Sequence, residues 1–119
     1  MEKQFRFQDF DIWRKAVEVS GDLFKLADDL EGRKLFRFAE QLRGATLSIT
    51  NNIAEGSGSV SKVDFAHFLN MARRSVFEVA NMLLIFSRNG YLTAAQVNPL
   101  LLKLEEESRM ILSFMRSLR

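Results

Sequence analysis

"SITNNIAEGSGSVSKVDF", Ser48 to Phe65, is the stretch whose reading decides the fold. It is polar, rich in small residues, and flanked on both sides by helical periodicity. If it cradles a phosphate, the chain carries a nucleotide site. If it is only a turn, the chain is a string of helices. "GSGSVSK" has glycines and a lysine but lacks the GxxxxGK[ST] spacing, and it follows helical sequence where a phosphate loop follows a strand. A dinucleotide-binding loop fails for the same reason. The turn reading accounts for the residues better. Gly56 and Gly58 can end one helix. Ser61 can cap the next, with Asp64 three residues on in the S-x-x-D form. Asp64 then sits near the positive end of the helix dipole.

Outward from this turn, apolar residues recur at three and four, and no period of two is evident. The first helical segment is expected from about Phe10 to Leu30. Its stripe is Phe10, Trp13, Val17, Ser20, Phe24, Ala27 and Leu30, with Ala16 and Leu23 beside it. Gly32 breaks it. The second is expected from about Lys34 to Glu55. Leu35, Leu42 and Ile49 recur at seven, beside Phe38, Ala45 and Asn52. The third is expected from about Lys62 to Asn89, on a seam of Phe65, Leu69, Ala72, Val76, Val79, Leu83 and Phe86. Gly90 ends it in the left-handed conformation. The fourth begins at "TAAQ", where Thr93 and Gln96 have capping-box spacing. Val97, Leu104, Ile111 and Leu118 continue at seven. Pro99 lies past the first turn, so a kink or a delayed start is expected there.

Four segments joined by short turns imply an all-α, antiparallel up-down-up-down four-helix bundle, one domain over residues 1–119. At 119 residues the chain buries enough surface to need no staples. It has 47% apolar and 27% charged residues, the balance of a soluble globule. The absence of cysteine excludes disulfides, thiolate nucleophiles and zinc–thiolate sites. "MEKQFRFQDF" lacks the apolar core of a signal peptide, and no run is long enough to span a bilayer. A cytoplasmic protein with no membrane role is expected. Phe77, Leu84, Met71, Met82 and Ile85 fall off the third seam. That surplus favours self-association over a thick monomeric core.

Gln41, Gly44, Ser48, Asn51 and Glu55 trace a small, polar strip up the second helix. Polar groups in a packed interface must be paired. Arg43 and Glu78 are one pairing the sequence offers. The longer stretch "QLRGATLSITNNIAEGSGSVSKVDFAHFLNMARRSVFE", Gln41 to Glu78, resembles the bacterial "four helix bundle protein" family. Its founding members are encoded in intervening sequences inside large-subunit ribosomal RNA genes. The family pattern, QLRRA..SI..NIAEG, an aromatic and FL, then A..S..E, is matched at Gln41, Leu42, Arg43, Ala45, Ser48, Ile49, Asn52, Ile53, Ala54, Glu55, Gly56, Phe65, Phe68, Leu69, Ala72, Ser75 and Glu78. Trp13 and Ala16 match the "W..A" of the first helix. Gly44 stands where a second arginine is common, and Ala66-His67 where basic residues are frequent. The basic character of that face is reduced accordingly.

The resemblance implies a homo-oligomeric ring, a pentamer. It also implies kinship with the accessory variability protein of diversity-generating retroelements, a basic pentameric barrel that works with a reverse transcriptase and nucleic acid. In this light Arg43, Asn52, Glu55, Gly56, Ser75 and Glu78 form a structural and assembly motif.

Catalytic chemistry is hard to find. A di-metal bundle needs paired Glu-x-x-His motifs, and His67 is the one histidine. A serine triad has no other base to use. No catalytic residue, metal site or cofactor is expected. Glu105, Glu106 and Glu107 read as a solvated helix face. The remaining lead is basic. Arg33, Lys34, Arg37 and Arg43 cluster along the second helix, Arg73 and Arg74 lie on the third, and Lys103, Arg109, Arg116 and Arg119 on the fourth. The formal charge is only +2, but a symmetric ring repeats each cation once per subunit. Arg33, Lys34, Arg37 and Arg43 are the expected contacts for RNA or DNA, or for a nucleic-acid enzyme such as a reverse transcriptase. Phe5 and Phe7 serve better as anchors of the N-terminal segment than as stacking platforms. The alternatives are a protein-interaction scaffold with no nucleic-acid role, or a passenger of a ribosomal RNA gene.

Overall fold

A computed structural model describes residues 4–118. A 3-10 turn, Arg6–Asp9, leads into four helices: α1 (Asp11–Gly32), α2 (Phe36–Ser57), α3 (Lys62–Arg88) and α4 (Ala94–Ser117). Each helix packs on the next, and α1 also meets α4, while neither diagonal pair comes into close contact. This is the up-down-up-down bundle that the spacing predicts. The α1–α4 seam is the sparsest of the four interfaces.

Capping sets the helix ends. The Ser61 hydroxyl accepts from the Asp64 amide at 3.1 Å, as the S-x-x-D form requires. Thr93 and Gln96 complete a reciprocal capping box. Gly90 has φ 78° at the end of α3. The Tyr91 amide reaches back to the Phe86 carbonyl there, and the Gly90 amide to that of Ser87. This pair of bonds satisfies carbonyls that the helix leaves free. The end of α1 uses the same device with a different residue. The left-handed position falls on Lys34, φ 66°, rather than on Gly32, which stays helical. The Leu35 amide bonds the Leu30 carbonyl at 2.9 Å. Arg33 and Lys34 are therefore turn residues, and α2 starts two residues later than expected.

The third helix buries all seven residues of its predicted seam. In α1 the predicted stripe holds at Ser20, Ala27 and Leu30, with Ala16 and Leu23 beside it, and misses at its aromatic positions and Val17. Ile12, Ala16, Val19, Leu23, Leu26 and Leu30 face the core, while Val17 is exposed and Trp13 and Phe24 are half-buried. The large aromatic residues drew the predicted stripe to the edge of the true face. Pro99 neither delays nor interrupts α4, which begins at Ala94 and runs through it. Pro99 and Ala95 both lie on the exposed face, so water can serve the carbonyl that loses its amide partner.

One acidic residue is misplaced by the sequence reading. Glu105 and Glu106 are exposed, but Glu107 is only 1% exposed and neither of its carboxylate oxygens has a partner. It lies three residues after Leu104 and four before Ile111, on the inner stripe of α4. Burial, the dominant cause, raises its pKa to about 8, against the pull of Lys15. The N-terminal segment is anchored through Phe7 as expected, while Phe5 is 62% exposed and stacks on Phe7. Phe7 packs edge-on to Trp13, and Arg6 bonds the Ser57 carbonyl at 2.9 Å while its guanidinium lies over Phe65. Among the described residues no helix is long and apolar enough to cross a membrane.

Candidate functional site

The polar strip on α2 meets α3 in a groove of about 430 Å³ lined by Ser48, Asn52, Met71, Arg74, Ser75 and Glu78. The Ser48 and Ser75 hydroxyls are 2.8 Å apart and link the two helices. The Asn52 amide nitrogen donates to the Ser48 carbonyl at 2.8 Å and to its hydroxyl at 3.0 Å. These bonds pair polar groups that helix packing removes from water, at a net gain of roughly 1 kcal/mol each. Arg74 and Glu78 stand exposed on the rim. Nothing in this cluster resembles a nucleophile with a base, because His67 lies outside it beside Phe68. The groove is a helix-to-helix clasp with a polar mouth.

The motif residues divide accordingly. Asn52, Ser75 and Glu78 come together around the groove, and Ser48 joins them. Glu55 is exposed one turn further along α2. Gly56 serves closeness rather than helix termination. It is helical, and a Cβ there would stand 2.7 Å from Phe68 Cβ and 3.0 Å from Phe65 Cδ1. Arg43 does not pair with Glu78. It faces α1, with nitrogens 2.8 Å from Asp28, 3.0 Å from Glu31 and 3.1 Å from Glu40. Its hydrogen bonds to Glu31 and Asp28 hold the guanidinium protonated beyond its already high range. Asn52→Leu should lower the unfolding free energy by about 1–2 kcal/mol through loss of both amide bonds. Urea titration would check it, and a midpoint equal to the parent's would deny those bonds any role.

The four cations expected to contact nucleic acid share one end of the bundle but differ in freedom. Arg33 is held by Asp29 at 3.0 Å and by the Tyr91 carbonyl. Arg43 is surrounded by three carboxylates. Lys34 and Arg37 are exposed and form no ion pair among the described residues. Elsewhere, Lys103 bonds Asp22 and Glu18, the two contacts that raise its pKa. Arg73 bonds the Ser108 carbonyl at 3.1 Å and lies over the Phe77 ring. Arg109 faces Glu105 at 3.7 Å, and Arg116 is exposed. Arg119 lies outside the described residues.

On the other side of α3, Phe77 (56% exposed) and Leu84 (45%) leave an apolar face beside α4, and Leu102 (70%) is exposed on α4 itself. A groove of about 280 Å³ between Ala80, Leu101 and Leu104 runs beneath Phe77 and Leu84. Ile85 is also exposed, whereas Met71 and Met82 are half-buried.

Fold and site define a small antiparallel helical bundle with a polar clasp. The family profile described as "23S rRNA-intervening sequence protein" matches residues 8–113, and the chain belongs to that family. It is similar to a crystal structure from Bacteroides thetaiotaomicron, described as a protein with unknown function from the S23 ribosomal protein family. The two share 25% identity with a TM-score of 0.83, over 87% of this chain and 97% of the other. No curated protein matches the sequence.

Proposed function

We propose that the protein is a non-enzymatic homo-oligomer, a pentameric ring, that binds RNA or DNA, or a nucleic-acid-processing partner such as a reverse transcriptase, through a basic surface. The observation that carries the nucleic-acid part is the freedom of Lys34 and Arg37 at the α1–α2 end. A cation already matched to a carboxylate has little left to offer a phosphate. Lys34 and Arg37 are thus the principal contacts, and Arg33 and Arg43 set the shape of the end that presents them. Closure of a ring would repeat the pair once per subunit and sum their fields. The exposed Phe77 and Leu84 supply the apolar contact for assembly, since such a face is costly in water.

Binding of this kind comes from phosphate contacts and weakens steeply with salt. The test is a titration of nuclease-treated protein against single- and double-stranded RNA and DNA at two salt concentrations. Salt-sensitive binding is expected, weakened at least tenfold by Lys34→Glu with Arg37→Glu at unchanged helicity. Binding that ignores the double variant would refute the assignment of those residues.

A protein-interaction scaffold without a nucleic-acid role is the second reading. The charge matching of Arg43 and the apolar α3–α4 groove favour it. Absence of binding at low salt, with a defined protein partner recovered after nuclease treatment, would decide for it.

A further inference from the structure

The opposite end of the bundle carries a second set of unmatched cations, and these line cavities. α2 ends there, α3 begins, α4 ends, and the N-terminal segment crosses. Two clefts adjoin at this end. One, of about 470 Å³, lies between the first turns of α3 and the last turns of α4, with Lys62 and Arg116 among its walls. The other, of about 430 Å³, holds Arg6 over the rings of Phe10 and Phe65, with Phe114 alongside. They share Lys62 and Leu118. Among the described residues no acidic side chain lines either cleft, and Arg6, Lys62 and Arg116 form no ion pair.

The walls of the first cleft are amphipathic in an ordered way. Val63, Ala66, Leu112 and Met115 supply an apolar lining. Lys62 and Arg116 bring charge from two different helices. A solvated helix face would scatter its cations among acids, as α1 and α2 do around Arg43. Here the nearest acid of α3, Asp64, accounts for its position as part of the Ser61 cap and does not line the cleft. Three cations around two adjoining cavities, the first lined by apolar side chains and the second by aromatic rings together with Ser57, Ser59 and Ser61, exceed what one carboxylate would balance. A phosphomonoester dianion matches them better, because an arginine fork grips two phosphate oxygens while lysine acts as a point charge. The start of α3 adds a positive helix end to the same region.

We propose that this end of the bundle binds an organic phosphate: a phosphomonoester whose aromatic or aliphatic body lies on the apolar lining while Lys62 and Arg116, with Arg6 beside them, hold the phosphate. The site is separate from Lys34 and Arg37 and stands whether or not those residues contact nucleic acid. Its chemistry has two sources, a nucleotide or an alkyl phosphate of the lipid kind.

The experiment is an amide-resonance titration of the full chain with adenosine monophosphate, octyl phosphate, inorganic phosphate and the uncharged detergent octyl glucoside. Shifts centred on Lys62, Val63, Ala66 and Met115 are expected with one or both organic phosphates. The one that binds tighter identifies the source. Inorganic phosphate and octyl glucoside should bind at least tenfold more weakly, since each offers only half of the recognition. Lys62→Glu with Arg116→Glu should weaken organic-phosphate binding at least tenfold, and Lys34→Glu with Arg37→Glu should leave it unchanged. The proposal is overturned if neither organic phosphate shifts these resonances at millimolar concentration. It is equally overturned if inorganic phosphate or octyl glucoside binds as tightly, or if the Lys62 and Arg116 variant binds like the parent.

Discussion

Replacing Glu107 with leucine should stabilise the protein, and the gain should grow as the pH rises from 5 to 8. The carboxyl is buried on the inner stripe of α4 with no hydrogen-bond partner. Two charged side chains act on it: Lys15, from α1, lowers its pKa, and Glu106, on its own helix, raises it. Arg73, which reaches across from α3, is engaged with the neighbouring Ser108 carbonyl. Burial outweighs these charges and lifts the pKa from the ordinary 4.5 to about 8. Between those values the folded protein keeps a proton that the unfolded chain releases. Rising pH therefore favours unfolding, by up to about 1.4 kcal/mol per pH unit while the difference lasts. From pH 5 to 8 the accumulated loss is on the order of 4 kcal/mol. Leucine removes both that slope and the cost of burying an unpaired polar group. Glu107→Gln should remove the slope alone. Urea titrations of the three proteins at pH 5, 6.5 and 8 would read the effect directly. A leucine-minus-parent difference that stays constant with pH would mean the carboxyl is hydrated or paired.

The second large effect is expected at Gly56, and it is best read against Gly44. Both glycines are inside α2, where alanine gains roughly 1 kcal/mol from helix propensity alone. At Gly44 a Cβ meets nothing within 4 Å, so Gly44→Ala should be stabilising by about that amount. At Gly56 the new carbon would lie 2.7 Å from Phe68 Cβ, an atom close to the backbone that cannot swing aside. Helix α3 would have to retreat. Overpacking of this kind costs typically 1–3 kcal/mol, enough to reverse the propensity gain, and Gly56→Val should cost more. Thermal melts of the two alanine variants should move in opposite directions. If Gly56→Ala melts at or above the parent temperature, the close approach of α2 and α3 is not a constraint on this turn.

The bundle was legible in the sequence because its helices are long and their seams regular. Helix α3 shows this best, since every turn offers an apolar residue to the seam and both ends carry capping chemistry. The register of α1 was legible only in part: Ala16, Ser20, Leu23, Ala27 and Leu30 were placed on or beside the inner face, but the aromatic residues that flank it drew attention away from Ile12, Val19 and Leu26. Glu107 was hidden by its own neighbours. Three successive acids read as solvent-facing by composition, although the spacing Leu104, Glu107, Ile111 already placed one of them inside. The clasp of Ser48, Asn52 and Ser75 was visible as a polar strip, but its partners were not. Helical spacing gives a residue's face on its own helix and leaves open which neighbour that face meets. Arg43 thus met the acids of α1 instead of Glu78. The clefts around Lys62 and Arg116 depend on residues about 50 positions apart in the chain, a juxtaposition that no local pattern records.

The thin seam between α1 and α4 has a consequence for how the chain reaches this structure. The other three interfaces join consecutive helices, so each can form as a local hairpin after closing a short loop. The α1–α4 seam must bring Lys15 to Glu106 and Lys103 to Glu18 and Asp22 across 81 to 91 residues of chain. Its gain is small, because partly exposed ion pairs contribute little, while its closure entropy is the largest in the molecule. Collapse should therefore proceed from the α2–α3 hairpin outward, fast because most contacts are local, with the seam shutting last. The same seam should be the first to part under high salt, which screens its partly exposed ion pairs and makes the first and last helices the hinged doors of an otherwise continuous wall.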